Sequence, residues 1–475
     1  DLNAAEVGGK YTPRSGSNAT FSSFMKSIRA NQETGLIDPA LLVAGQKAAQ
    51  ATKDGDMDWV QAGPDNFGGS TRAVIYDRNG NLLIGTAGGD ILKTTNDGIT
   101  FQYIAHVDAP ISCFASKDNE LYIGTGDGFG AQVVNGLSSL DYETSFVGNG
   151  VYKLEGNNAV LVAGTDNIEF VNEMTVAGGN IYAATNVGLM KNWAVVVEGE
   201  FRSVKSNDNG DILAADQKDV YLAKQGGEFN KVTGTGNLPS NNNYIKIIAM
   251  SPTDKNFMYV AFLGYNTSTG NYSTNNIYFT SDGAETWEVA YAATTYMYTI
   301  FGQRADYTGF MAVYPNNPRK RLIGSDNLWL FEDATGSGAN SYRPVQISEY
   351  NCPEYAAIAW NRYYYLHQGV MNIVFKQTDP NTFYIGTEGG IFKGEFYASY
   401  YSYKGGNRYF ITEDYHTSTA RMMSVAVGGG TKFIGGSLDH GTLMMLGSDS
   451  IDNVTTGKAI FPNVTSTNNA FGYFT

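Results

Sequence analysis

From Trp59 onward the chain repeats a short unit, and this repetition restricts the fold more than any other feature. The unit is an apolar strand, a turn, a second strand ending in Gly, then a third strand. Clear copies are NLLIGTAGGDILKTT (81–95), ELYIGTGDG (120–128), NIYAATNVGLMK (180–191) and TFYIGTEGGIFKG (382–394). Weaker copies occupy 211–224, 255–264, 321–333 and 431–446. About eight units recur at intervals of roughly 40 to 60 residues, the spacing of one four-stranded propeller blade each. One such sheet cannot bury both of its faces, but radially stacked sheets cover one another. The expected fold is therefore all-β, a seven- or eight-bladed β-propeller. The apolar runs Leu82-Leu83-Ile84 and Tyr384-Ile385 are expected nearest the axis. Gly85, Gly124 and Gly386, which close such runs, are expected to let the backbone turn where blades crowd.

Composition agrees with strands and tight turns. The 475 residues include 56 Gly, 32 Tyr and 25 Phe, and only 16% are charged. That is too apolar and aromatic for a disordered chain, and it lacks the bias toward Ala, Glu, Lys, Leu and Arg of long helical proteins. The net charge of −14 and the absence of a basic cluster argue against nucleic-acid binding, which needs Lys and Arg to displace counterions from phosphates. No apolar run is long enough for a membrane-spanning helix. No export signal is visible at Asp1. Cys113 and Cys352 stand far apart, outside any C-x-x-C arrangement, and form either one long-range disulfide or two buried thiols. His106, His367, His416 and His440 are isolated from one another, so neither a metal site nor a cofactor site is legible.

Residues 1–57 read as a partly helical arm and 58–475 as the propeller. Phe21, Phe24, Met25 and Ile28 form a helical stripe. A second helix is predicted over Pro39–Ala51, with Asp38 as N-cap and Pro39 in the first turn. Asp54, Asp56 and Asp58 have the alternation of a calcium loop, but Trp59 replaces the required Gly and no distal Glu follows, which leaves a solvated linker. The last repeat begins shortly before Thr475. That implies either a piece of a longer protein or a ring closed by strands from the N-terminal region.

Two segments carry a further signature: Thr94-Thr-Asn96-Asp-Gly98-Ile-Thr100-Phe101 and Thr280-Ser-Asp282-Gly-Ala284-Glu-Thr286-Trp287. Both resemble the Asp-box of sialidases, sortilin-type receptors and related propellers, which lies on the turn between outer blade strands. Asn96 and Ala284 depart from the motif's Asp and Gly. The carboxylate or amide accepts backbone N–H groups, Gly permits positive φ, and the final aromatic fills the gap between strands. Asn96, Gly98, Thr100, Phe101, Asp282, Thr286 and Trp287 are therefore expected to be structural, with Phe101 and Trp287 buried. The stretch Trp59-Val-Gln-Ala-Gly-Pro-Asp-Asn-Phe-Gly-Gly-Ser-Thr-Arg-Ala-Val, the segment from Arg29 to Pro39, and Ile434-Gly-Gly-Ser-Leu-Asp-His-Gly-Thr resemble large secreted Bacteroidetes propellers, many exported by type IX secretion. Ser70, Leu438 and His440 depart from that pattern. The resemblance implies an extracellular or cell-surface protein.

Sialidase chemistry needs three substrate-binding arginines, and no such set is assignable; Arg72 continues a strand in Thr-Arg-Ala-Val. Other glycosidases need two facing carboxylates. Asp127, Glu388 and Asp439 follow repeat strands in Gly-rich turns, where backbone N–H groups already explain them. Tyr363, Tyr364, Tyr365, Tyr400, Tyr401 and Tyr403 either pack between blades or form platforms for a glycan or a protein. The functional expectation is a surface scaffold that binds protein or glycan without catalysing a reaction. The rival readings are a glycoside hydrolase of extracellular polysaccharide and an accessory subunit of an outer-membrane or secretion assembly.

Overall fold

The computed structural model describes residues 30–51, 69–129, 146–240, 245–266, 271–292, 300–302, 304–332, 344–348 and 366–396. It also describes strands at 132–134, 137–139, 409–413, 422–427, 432–437, 441–446 and 451–453. The chain divides into a larger unit, 38–420, and a smaller one made of 1–37 and 421–475.

The larger unit is a seven-bladed β-propeller. Its four-stranded antiparallel blades span 73–106, 111–161, 171–197, 201–231, 245–292, 310–346 and 370–413. Six run in simple sequence order; the second carries a hairpin (132–134 with 137–139) between its second and third strands. Hydrophobic residues gather in a cluster at every junction between neighbouring blades. The ring closes on its own first blade, where Val74, Tyr76, Leu82 and Ile84 pack with Tyr384 and Ile391 of the seventh. Burial of both faces is what stabilises each sheet, at about 25 cal/mol for every Å² of apolar surface removed from water. In the smaller unit, the eighth repeat forms its own four-stranded sheet, Met422–Val427, Lys432–Ser437, Gly441–Leu446 and Ile451–Asn453.

The repeat strands are not innermost, contrary to the sequence expectation. They are the second strand of each blade, and the preceding strand lines the axial cavity in six of them: Ile111–Lys117, Val171–Ala177, Phe201–Ser206, Ile245–Met250, Phe310–Tyr314 and Val370–Lys376, with Arg72, just before Ala73–Tyr76, doing so in the first blade. Second strands read as the more apolar because neighbouring blades cover them on both sides. The closing glycines also act differently than expected. A Cβ on Gly85 would stand 2.4 Å from Ile111 Cγ2, and one on Gly124 would stand 2.5 Å from Cys113 Sγ and 2.7 Å from Val171 Cγ1. A Cβ on Gly386 would meet the Thr71 carbonyl oxygen at 2.2 Å. These glycines make room for the first strands, including that of the next blade, and turn nothing.

A repeated hydrogen bond ties each of several blades to its predecessor. The N–H groups of Ile111, Val171 and Val370 donate to the carbonyls of Thr86, Gly126 and Ser325. The Thr71 N–H donates to Thr387 across the seam at 2.9 Å, so the ring closes with the same bond that builds it. The helix Pro39–Ala51 forms as its sequence predicts, with Asp38 Oδ1 accepting the Ala40 N–H at 2.9 Å. Lys47 Nζ of that helix reaches the Asp166 carbonyl oxygen at 3.3 Å.

Candidate functional site

The first strands are not regular. In the second, third, fourth and seventh blades the pairing slips by one residue near the start, between Ile111/Cys113, Val171/Glu173, Phe201/Ser203 and Val370/Asn372. The extra residues are Ser112, Asn172, Arg202 and Met371, and all four line the axial cavity. Arg72, which follows Thr71 at the seam, holds the matching place in the first blade and lines the cavity too. A β-bulge gives up ladder pairing and re-aims a side chain. Its repetition in four blades, with Arg72 at the matching place in the first, directs five residues to the same cavity.

Arg72 and Arg202 converge there. Arg72 is 8% exposed, its Nε lies 3.3 Å from Asp127 Oδ2, and its Nη2 donates to the Tyr307 carbonyl at 2.9 Å. Arg202 donates to the Phe129 carbonyl at 3.0 Å and to the Asp306 carbonyl. Both guanidinium groups lie over the Phe129 ring, at 4.6 Å and 5.3 Å from its centre. The carbonyls of Asp306 and Tyr307 belong to a one-turn helix, Ala305–Thr308, whose Ala305, Tyr307 and Thr308 are buried. Two cations facing its carboxyl-terminal carbonyls suit the negative end of a helix. Phe129, this helix and the arginines together wall one end of a cavity of about 350 Å³.

Lys246, second residue of the fifth blade's first strand, joins the same cavity and is 2% exposed. Its Nζ donates to the Gln217 carbonyl at 2.8 Å. Burial, with a smaller push from Arg202, brings its amine down to about 8, while Asp216 and Asp219 pull the other way. Beyond the charged end, Ile247, Met311, Ile373 and Phe375 add apolar surface to the lining. Glu173 is occupied within the wall, accepting from Ser203 Oγ, Val204 N–H and Lys205 Nζ.

The carboxylates singled out by sequence are placed unlike their expectation. Asp127 is not held by turn N–H groups: its side chain pairs with Arg72, and its Oδ1 has no hydrogen-bond partner. Burial pushes its carboxyl up to about 6 against the attraction of Arg72. Glu388 pairs with Arg304, the residue before the one-turn helix. Each carboxylate thus has its own arginine, and three arginines, Arg72, Arg202 and Arg304, lie on or beside the same short helix. Arg202 and Arg304 were not legible as site residues because no motif marks them. Asp439, Tyr363, Tyr364, Tyr365, Tyr400, Tyr401 and Tyr403 lie outside the described residues.

The two Thr-x-Asn/Asp segments occupy equivalent turns between third and fourth strands, in the first and fifth blades. Asn96 Oδ1 accepts the Thr100 N–H and Asp282 Oδ1 the Thr286 N–H, both at 3.0 Å; Thr94 and Thr280 hydroxyls donate to the same oxygens at 2.9 and 2.7 Å. These bonds to its ionised form hold the Asp282 carboxyl down at about 2. Trp287 is 2% exposed, whereas Phe101 is only half-buried, short of the full burial expected. Neither turn borders the axial cavity. Cys113 is a buried free thiol beside the Val171 carbonyl, and burial pushes it up to about 12. Among the described residues no group of three or more His, Cys, Asp or Glu is arranged to hold a metal, and no helix is long and apolar enough to cross a membrane.

No family model matches the chain, and no curated protein does. Solved structures do. An ancestral GH74 enzyme superposes with TM-score 0.56 at 14% identity, covering 82% of this chain and 54% of that one. The GH74 xyloglucanase of Xanthomonas campestris gives 0.55 at 12%, covering 87% and 63%. A GH74 enzyme of Niastella koreensis gives 0.56 at 14%, covering 86% and 62%. The chain therefore spans between about half and two thirds of these proteins' length, and the likeness is one of fold.

Proposed function

We propose that this protein is an extracellular or cell-surface propeller that binds protein or glycan, of the kind Bacteroidetes export by type IX secretion. The observation that carries this reading is the commitment of the described candidate carboxylates. Asp127 and Glu388 are buried, each against its own arginine. A hydrolase needs two carboxyl groups facing a sugar across an open cleft, one of them free to give up a proton. Carboxylates bound into a propeller wall serve the wall. The export reading rests on the sequence resemblance around Trp59 and Ile434.

One observation favours glycoside hydrolysis instead. Burial pushes the Asp127 carboxyl up to about 6, so it holds its proton to a higher pH than an ordinary carboxyl, the direction an acid catalyst requires. The GH74 enzymes share the fold. A panel of extracellular polysaccharides, assayed for both retention and reducing-end release, separates the two. Binding without turnover is the expected result. Turnover that disappears in both Asp127→Ala and Glu388→Ala would establish the hydrolase.

A further inference from the structure

The charged end of the axial cavity joins features that wall-building does not require together. Arg202 reaches it through a β-bulge, a device that re-aims a side chain at the expense of ladder bonds. Lys246 arrives from the next blade and lines the same cavity, where the positive charge of Arg202 disfavours its ammonium. The Lys246 ammonium carries three donors and is bonded to one carbonyl oxygen, that of Gln217, in a position nine-tenths and more removed from solvent. Asp216 and Asp219 face it from the fourth blade, and Asp127 lies beyond Arg72. Met311, Met371, Ile373 and Phe375 add apolar surface among polar residues such as Asn172, Ser203 and Asn372, and the volume, about 350 Å³, is at the small end of ligand pockets.

We propose that the axial cavity binds a small organic carboxylate with an apolar body, its carboxylate held between Arg202 and Lys246 and its body against Met311, Met371 and Ile373. An anion between two cations removes their repulsion and supplies acceptors to the ammonium donors that Gln217 leaves over. A guanidinium and an ammonium together offer a carboxylate charge-assisted bonds from two sides. Met311, Met371 and Ile373 of the first strands give an apolar body surface that a bodiless carboxylate cannot use. This site is separate from the surface partner proposed above and stands or falls without it.

Isothermal titration of the full chain with phenylacetate, phenylacetamide and acetate tests it. Phenylacetate should bind one per chain, with the neutral amide and the bodiless acetate each weaker by at least about tenfold. Lys246→Met, which replaces the buried ammonium with an apolar chain of similar length, should keep the thermal melt and lose the phenylacetate signal. Arg202→Gln should weaken binding by a similar factor, and Ala312→Leu, which narrows the cavity, should abolish it. The proposal is overturned by an absence of phenylacetate binding at millimolar concentration, by equal binding of the amide or of acetate, or by unchanged binding in folded Lys246→Met.

Discussion

Ala284 has φ +73, in the left-handed region that an L side chain occupies at a cost of roughly 1–2 kcal/mol. Gly98 stands at the matching place in the other turn, with φ +88. The Ala284 N–H donates to Thr280 Oγ1 at 3.0 Å, and the Gly98 N–H to Thr94 Oγ1 at the same distance, so the turn demands this conformation whatever residue fills it. Ala284→Gly should therefore stabilise the protein by about 0.5–1 kcal/mol, read as a higher denaturant midpoint at unchanged slope. Asp127 makes the opposite kind of case, a residue whose ionised form the fold disfavours. Its folded pKa, about 6, lies above the unfolded value near 3.8. The stability it contributes is full below about 3.8 and is lost as pH rises through about 6. Compared with Asp127→Asn, the wild type should gain stability on going from pH 7 to pH 4, by on the order of 2 kcal/mol. Parallel denaturation curves of the two proteins across that range measure it; a pH-independent difference would mean that folding leaves the Asp127 pKa unshifted.

The element that best shows how blades are joined is the outer turn of the fifth blade. Trp287 packs at the interface with the fourth, among Leu213, Val232, Leu238, Ile248 and Val260, and its backbone N–H donates to the Gly236 carbonyl at 2.6 Å. The indole N–H has no partner, so the ring is held by packing alone. Trp287→Ala should cost roughly 3–5 kcal/mol through the cavity it leaves. Trp287→Phe should cost far less, since it removes no hydrogen bond and places there the residue type that Phe101 supplies in the first blade. Thermal unfolding of the two variants checks both. Comparable losses would show that the indole ring's full width is required.

At the scale of the whole molecule, closure decides which residues meet. The seam between seventh and first blades reuses the interblade hydrogen bond and a hydrophobic cluster like the other six, so a ring of seven needs no special latch. Closure also gathers residues hundreds of positions apart, as when Asn372 Nδ2 donates to the Arg72 carbonyl at 3.2 Å. The strand repeats and the helix at Pro39–Ala51 were legible from sequence because each depends on local chemistry: a recurring run of apolar residues and a capping carboxylate. The axial site was not. Its residues are Arg, Ser, Asn, Lys and Met with no shared type, and what unites them is a place near the start of each first strand, bulged in four blades. The same limit explains why second strands were mistaken for innermost ones. Hydrophobicity reports how much of a strand is covered, and blades stacked on both sides cover the second strand most. By itself the sequence determined the blade and its strand-turn-strand pattern, because those are set within a few residues. Only the tertiary structure decided the blade count of seven, the glycines' service as gaps for neighbouring strands, and the pairing of Asp127 with Arg72 and Glu388 with Arg304. Those outcomes depend on which surfaces meet once the ring is closed.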